Sequence, residues 1–305
     1  MSRAERDALL GAVEERLDRA VRLGDAAPVL DPRTLAQARR LAELIAADQA
    51  DLPARLFLGL FHWHRYLGLP DPDGYHDLRT AVGMLAPCFA NPGFNLEMFP
   101  RPLLPVLADT ANGAIGQLLG SALASGQAEQ ISVATALLER LVYATPAGHA
   151  QQAARRSNLG TALRALYEQT GEPEQLEQAV EALREALAMA VPGHPQQSIC
   201  AGNLGQALRT RFQLAGARSD LDETIYLMRM TLADAAPDHP NRTGRIDNLR
   251  RALELRFAVT ADPGDGDEAL RLEMMLFDAP SQEIPRWVTH QAGPGAPGED
   301  DGGHG

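Results

Sequence analysis

A block of sequence that recurs every 45 residues constrains the fold of this chain more than any other feature. Asn-Leu-Gly at 158–160 returns at 203–205, and Asn-Leu returns a third time at 248–249. Both steps are 45 residues, from 158 to 203 and from 203 to 248. A fixed period of this length, sustained over three copies, indicates a solenoid whose units stack on one another.

Each repeat unit has the pattern of two antiparallel helices. Residues 150–169 and 173–190 carry apolar side chains at helical spacing. Gly171 and Pro173 separate the two helices, and Pro-Gly-His-Pro at 192–195 ends the second. No alternating strand pattern lies between them. The sequence therefore predicts an all-α fold, a right-handed α-solenoid of stacked antiparallel helix pairs.

The pattern divides the chain into three segments. Residues 1–105 form an irregular helical region that ends in a Pro-rich insertion from Asn91 to Pro105, and residues 106–279 form the repeat array. Residues 280–305 are rich in Gly, Pro and acidic side chains, which predicts a disordered tail. The first segment is predicted to hold helices at 3–23, 33–49, 53–68 and 75–87.

Composition excludes several classes of function. All 28 basic residues are arginine, so no lysine is present to form a Schiff base or to complete a phosphate-binding loop. The net charge of −12 argues against a nucleic-acid partner. The charged N-terminal residues do not resemble a signal peptide, and no apolar run reaches the roughly 20 residues that span a bilayer. We therefore expect a cytoplasmic protein that binds no cofactor, nucleic acid or membrane.

The repeat also carries a family resemblance. Asn-Leu-Gly-x-Ala-Leu-Arg at 158–164, with Gly171 and the Pro-Gly-His-Pro at 192–195, resembles the long tetratricopeptide-type repeats of GC-rich bacteria. The resemblance covers about residues 110–278, and such arrays often precede a CHAT domain, a caspase-like peptidase. No CHAT sequence follows here, so no Cys–His dyad is carried over. The resemblance implies a protein-binding superhelix that acts alone or regulates a separately encoded effector.

Polar side chains of the first helices form the candidate partner-binding groove. The asparagine on the first helix of each repeat could hydrogen-bond the backbone of an extended peptide. The arginines of the same helices could pair with acidic side chains of that peptide. Alternatively, the asparagines bridge adjacent repeats, and the sequence leaves both interpretations open. The candidate groove residues are Asn158, Asn203, Asn248, Thr161, Gln206, Arg164 and Arg209.

A second hypothesis, an enzyme or small-molecule sensor, rests on aromatic residues near the N-terminus. Six of them could wall an apolar pocket. The histidines His62, His64 and His76 lie nearby, but a spacing of two turns His62 and His64 to different sides of a helix, which disfavours a metal site. We expect one of these two to be packed and the other solvated. The candidate pocket residues are Phe57, Phe61, Trp63, Tyr66, Phe94 and Phe99.

The remaining reactive side chains are predicted to be structural. His149, His194 and His239 are 45 residues apart, too far for a shared ion in stacked helix pairs, so we expect them to cap loops. Cys88 and Cys200 have no metal spacing, and Cys88 has no identifiable base nearby. Cys200 lies at the start of a repeat helix, where a thiol pKa can be lowered, but we expect it to be a buried packing thiol. We therefore expect a non-enzymatic interaction module. The apolar stripe of the first helix, which needs some cover, could support a homodimer.

Overall fold

The computed structural model describes residues 3–46, 50–70 and 72–277. Within these residues the regular structure is helical, which confirms the predicted all-α class. Two 3-10 turns, Leu96–Met98 and Arg101–Leu103, lie in the Pro-rich insertion. The helices are α1 (Arg3–Leu23), α2 (Ala27–Leu30), α3 (Pro32–Ile45), α4 (Leu52–Gly68), α5 (Tyr75–Phe89), α6 (Leu104–Ser125), α7 (Ala128–Ala144), α8 (Gln152–Thr170), α9 (Pro173–Met189), α10 (Pro195–Ala215), α11 (Arg218–Ala233), α12 (Arg242–Thr260) and α13 (Pro263–Phe277).

The chain divides into two compact units, Met1–Asp234 and Ala235–Gly305. The first contains α1–α11, and the described part of the second contains α12 and α13. The three segments that the sequence pattern predicts remain a prediction. The predicted tail at 280–305 lies outside the described residues.

Three successive helix pairs build the repeat region of the first unit: α6 with α7, α8 with α9, and α10 with α11. The first helix of each pair ends at a glycine in the left-handed conformation, Gly126, Gly171 or Gly216, with φ of 64°, 75° and 71°. Glycine adopts this conformation at no steric cost. The same signal, repeated every 45 residues, therefore sets where each helix turns back.

The recurring histidines cap the loops between pairs, as predicted. Nδ1 of His149 accepts a hydrogen bond from the backbone N–H of Gln151 at 3.2 Å. His194 and His239 accept the equivalent bonds, both at 3.1 Å. Each histidine thus satisfies a backbone donor at the start of the next first helix, which would otherwise lack a partner.

The N-terminal helices cover one another's apolar faces. The buried stripe of α1 includes Val13 and Leu17, and α1 packs on α3 and α4. The chain's own helices thus cover the stripe that the sequence offered as a dimer surface, and the homodimer itself stays a prediction. Asp51 caps α4 by accepting from the Ala54 N–H at 3.2 Å, and it also pairs with Arg6 of α1, whose guanidinium lowers the pKa of Asp51.

Arg140 of α7 holds the Pro-rich insertion against the core. Its guanidinium donates to the carbonyl oxygens of Phe89 (2.6 Å), Asn91 (3.0 Å) and Phe94 (2.6 Å). Phe99 in the insertion is buried, with its ring edge-to-face against Phe89 at 5.6 Å between centroids. The insertion is therefore held against α5 and α7.

Candidate functional site

The first helices of two successive pairs carry a stripe of polar side chains. Asn158, Thr161 and Arg164 follow one another three residues apart on α8, and each is partly exposed. Side chains three residues apart share a helix face, and α8 contacts α10. The equivalent positions of α10 are partly exposed as well. We call these six residues the first-helix polar face: Asn158, Thr161, Arg164, Asn203, Gln206 and Arg209.

The two asparagines of this face have different roles. Asn203 Nδ2 donates to Ser157 Oγ at 3.0 Å and so links α10 to α8. This is the bridge between repeats that the sequence offered as an alternative to peptide binding. The side chain of Asn158 makes no hydrogen bond within the described part of the chain. Its amide donor and acceptor are both available to a partner.

Local contacts offset part of the charge on the polar face. Arg164 forms an ion pair with Glu168 one turn later on the same helix. Thr161 donates its hydroxyl to the Ser157 carbonyl at 2.9 Å. An acidic partner side chain would have to compete with Glu168 for Arg164. The charge of Arg164 therefore favours an acidic peptide less than the sequence suggested.

On α6, glycines take the positions that Asn158 and Thr161 have on α8. Gly113 and Gly116 of α6 stand 45 residues before Asn158 and Thr161, and α6 contacts α8. Both glycines are exposed, and outside the adjoining residues and backbone of α6 no described atom lies within 4 Å of the place where a Cβ would stand. A backbone can approach such a surface closely.

Asn248 belongs to the second compact unit, where it lies partly exposed on α12. The neighbouring Asp247 pairs with Arg250 at 2.8 Å and with Arg251 at 2.9 Å. Of the predicted groove residues, the structure therefore brings six together in the first unit and places the seventh in the second.

The six candidate aromatic residues do not form one pocket. Phe57 and Phe61 pack in the core cluster that includes Val13, Leu41 and Ile45. The other four, Trp63, Tyr66, Phe94 and Phe99, pack in a separate cluster that extends from α4 to α9. The physical reason is that α4 has neighbours on two sides and its aromatic side chains fill both interfaces. The expected apolar pocket is thus replaced by core packing.

The histidine pair behaves as its spacing predicts. His62 is buried, whereas His64 on another face of α4 is partly exposed. Nδ1 of His62 lies 2.5 Å from Oδ1 of Asp77, and burial lowers the pKa of His62. Within the described residues, no group of three or more His, Cys, Asp or Glu side chains is placed to hold a metal ion.

The two cysteines are packing residues in the fold. The thiol of Cys88 donates to the Leu52 carbonyl at 3.3 Å, and burial raises its pKa to about 11. A thiol with so high a pKa is a poor nucleophile at neutral pH. Cys200 is fully buried beside Ala153 and Ala186.

Comparison with known proteins identifies the type of repeat. The sequence profile of the tetratricopeptide repeat matches residues 199–241, which include α11 and most of α10. Residues 199–241 are therefore similar to one tetratricopeptide repeat unit. A crystal structure of a kinesin light chain from Podosopora anserina, described as having nearly identical TPR-like repeats, is 17% identical and covers 76% of this chain and 99% of its own, with a TM-score of 0.27. No curated protein matches.

The 45-residue repeat of this chain is longer than the usual tetratricopeptide unit of roughly 34 residues. The extra length lies in the helices, since α8 has 19 residues and α9 has 17. Tetratricopeptide repeats generally mediate protein–protein interaction, and the fold is typically non-enzymatic. Among the described residues, no helix has both the length and the apolar character that crossing a membrane requires.

Proposed function

We propose that this protein is a non-enzymatic, cytoplasmic interaction module that binds an extended segment of a partner protein on the first-helix polar face. The observation that carries the proposal is the open amide of Asn158 beside the exposed glycine surface of α6. An amide can donate to and accept from a peptide backbone at once. The glycines let that backbone come close to the helix.

The recognised feature of the partner is its backbone rather than a run of acidic side chains. Arg164 already has Glu168 as a counter-ion, and the whole chain carries a net charge of −12. Both facts disfavour a strongly acidic partner. The resemblance to arrays that precede CHAT domains supports a separately encoded effector as the source of the segment. Asn248 would have a similar role within the second unit.

Peptide selection tests this proposal directly. A random peptide display library is selected on the purified full chain, and the dissociation constant of an enriched peptide is measured by titration calorimetry. We expect Asn158→Ala combined with Thr161→Ala to weaken binding about tenfold, because a lost hydrogen bond is worth about 1 kcal/mol and two side chains are truncated.

The matched control truncates Gln178 and Glu181, two exposed residues at the same spacing on α9. This control should bind the peptide like the wild type, and circular dichroism should show equal helicity for both double variants. The proposal fails if no peptide is enriched, or if the two double variants bind with equal affinity.

A further inference from the structure

The contact between α9 and α10 shows which surfaces two successive helix pairs use to stack. Val180 of α9 packs in one apolar cluster with Leu204 and Leu208 of α10. Glu177 of α9 forms an ion pair with Arg211 of α10 at 2.7 Å. Val180 and Leu208 each lie one turn from this ion pair, in the directions that an antiparallel crossing brings together. The stacking contact therefore places Val180 beside Leu208.

A second ion pair joins α9 to the other helix of the following pair. Arg184 of α9 pairs with Glu223 of α11 at 2.6 Å. Arg184 lies one turn after Val180 and so shares its face of α9. The contact that one pair makes with the next thus has an apolar pair of side chains with an ion pair on each side.

The helix α13 carries the same face in an exposed position. Leu270 stands two periods of 45 residues after Val180, and Met274 stands two periods after Arg184. Leu270 is 58% exposed, whereas Val180 is 1% exposed. Met274 is exposed as well. The stacking face of α13 is therefore open, and it is apolar at a position where α9 has a charge.

The complementary face is open on α6 and α7. Leu118 of α6 stands two periods before Leu208 and is 39% exposed, whereas Leu208 is fully buried. Beside Leu118 lies an open cavity of about 380 Å³, which Ser121 of α6 and Val133 of α7 also line. Ser121 and Val133 stand two periods before the residues of α10 and α11 that form the two ion pairs. The cavity thus lies where the second helix of a preceding pair would stack.

The two open faces complement each other when α13 takes the place that α9 has in the observed contact. Leu270 then lies beside Leu118, which is again an apolar pair. Met274 then lies beside Val133, so apolar side chains replace both members of an ion pair. Losing only one member would bury an unpaired charge. The paired change avoids this cost.

The third position of the contact is also compatible. Asp267 of α13 stands two periods after Glu177, and it would lie beside Ser121. A serine hydroxyl can donate a hydrogen bond to a carboxylate. The three positions that build the observed contact therefore all find a suitable partner between α13 and the pair α6–α7.

We propose that copies of this chain stack head to tail, with α13 of one copy against α6 and α7 of a second copy. The contact continues between two molecules the stacking that successive pairs use within one molecule. It is heterologous, since the two copies contribute different surfaces. A heterologous contact leaves one free face of each kind at the ends, so assemblies longer than a dimer can form.

Sedimentation velocity of the purified full chain at increasing concentration tests the contact. We expect association that rises with concentration. Leu270→Glu and Leu118→Glu should each weaken it about tenfold or more, because each places a carboxylate in an apolar contact. Both leucines are exposed in the single chain, so the fold should be kept. Leu214→Glu, the same change at an exposed leucine of α10, should associate like the wild type.

Mixing the two variants separates head-to-tail stacking from a symmetric dimer. The Leu118→Glu variant keeps its α13 face, and the Leu270→Glu variant keeps its α6–α7 face. An equimolar mixture should therefore form a dimer, although neither variant associates alone. A symmetric contact between two α13 helices would instead leave the Leu118→Glu variant dimeric by itself, and this result would overturn the proposal.

A paired substitution tests the register of the contact. Val133→Glu and Met274→Arg should each weaken association, whereas the double variant should recover it by forming the ion pair that joins α9 to α11. Glutamate suits the first position, since Glu223 occupies its equivalent on α11. The proposal is overturned if the wild type stays monomeric, if the equimolar mixture does not associate, or if the double variant associates no better than the single ones. Association is measured without peptide, so this proposal and peptide binding can fail independently.

Discussion

At the scale of single residues, one position shows how the repeat tolerates a departure from its own pattern. Gly171, Gly216 and Ala261 stand 45 residues apart and end three first helices in the left-handed conformation, with φ of 75°, 71° and 54°. An L-residue in this conformation costs roughly 1–2 kcal/mol. Ala261 therefore carries strain that the two glycines avoid.

Ala261→Gly should stabilise the protein. Removing the backbone strain stabilises the folded state by about 1–2 kcal/mol. The greater conformational freedom of glycine in the unfolded chain lowers the free energy of unfolding by about 0.5–1 kcal/mol. We expect the free energy of unfolding, measured in urea, to rise by about 0.5–1 kcal/mol. Gly216→Ala is the matched control and should lower it. An unchanged or lower stability for Ala261→Gly would contradict this account.

Residue-level predictions from the sequence succeed where the relevant contact is local. Each of His149, His194 and His239 accepts a hydrogen bond from the backbone two residues later. Their 45-residue spacing allowed this capping role to be predicted from the sequence. The His62–Asp77 pair joins two helices across 15 residues and has no repeated copy to mark it. No periodic signal in the sequence could have found it.

At the scale of helices, glycines set how closely the two members of a pair approach. A Cβ on Gly160 would clash with the Leu183 side chain and come within 3.0 Å of the Ala179 carbonyl oxygen. The equivalent Gly205 faces only the end of Met228, with the nearest backbone atom 3.7 Å away. The crossing of α8 with α9 is therefore tighter than that of α10 with α11.

Alanine at these two glycines should have unequal effects. Gly160→Ala should lower the free energy of unfolding by about 1–3 kcal/mol, because backbone and a branched side chain must move. Gly205→Ala should be close to neutral, since the flexible methionine can shift and alanine gains about 1 kcal/mol in helix propensity. Urea denaturation of both variants measures the difference. Equal destabilisation would show that Met228 is as constrained as Leu183.

The helix pairs could be predicted closely because their signals repeat. The helix predicted at 173–190 is observed at Pro173–Met189. The irregular N-terminal region was harder, since the four-residue helix Ala27–Leu30 has no apolar period to reveal it. The helix predicted at 33–49 begins at Pro32, and its observed end is Ile45.

At the scale of the whole molecule, the repeat pattern predicted the α-solenoid and the location of the polar face, but not the cavity beside α6 and α7. Asn158 and its equivalents were visible because they recur at 45 residues. The cavity lies where α6 and α7 meet, and its position depends on how these helices pack rather than on any local motif. The six aromatic residues suggested a pocket because the same residue types line apolar pockets and fill cores. Their sequence pattern alone does not distinguish the two.

The central claim is that a partner peptide binds on the first-helix polar face beside Gly113 and Gly116 of α6. The most direct test is peptide binding by a variant that carries long side chains at these two glycines. Gly113→Gln with Gly116→Gln adds two side chains at exposed positions where a Cβ would meet no described atom of another element, so the fold should be kept. Gly83→Gln fills an equally open position on α5 and is the control. We predict that the double variant loses the selected peptide while Gly83→Gln retains it, with thermal stability unchanged or raised in both. Full binding by the double variant would show that the partner does not lie on this face.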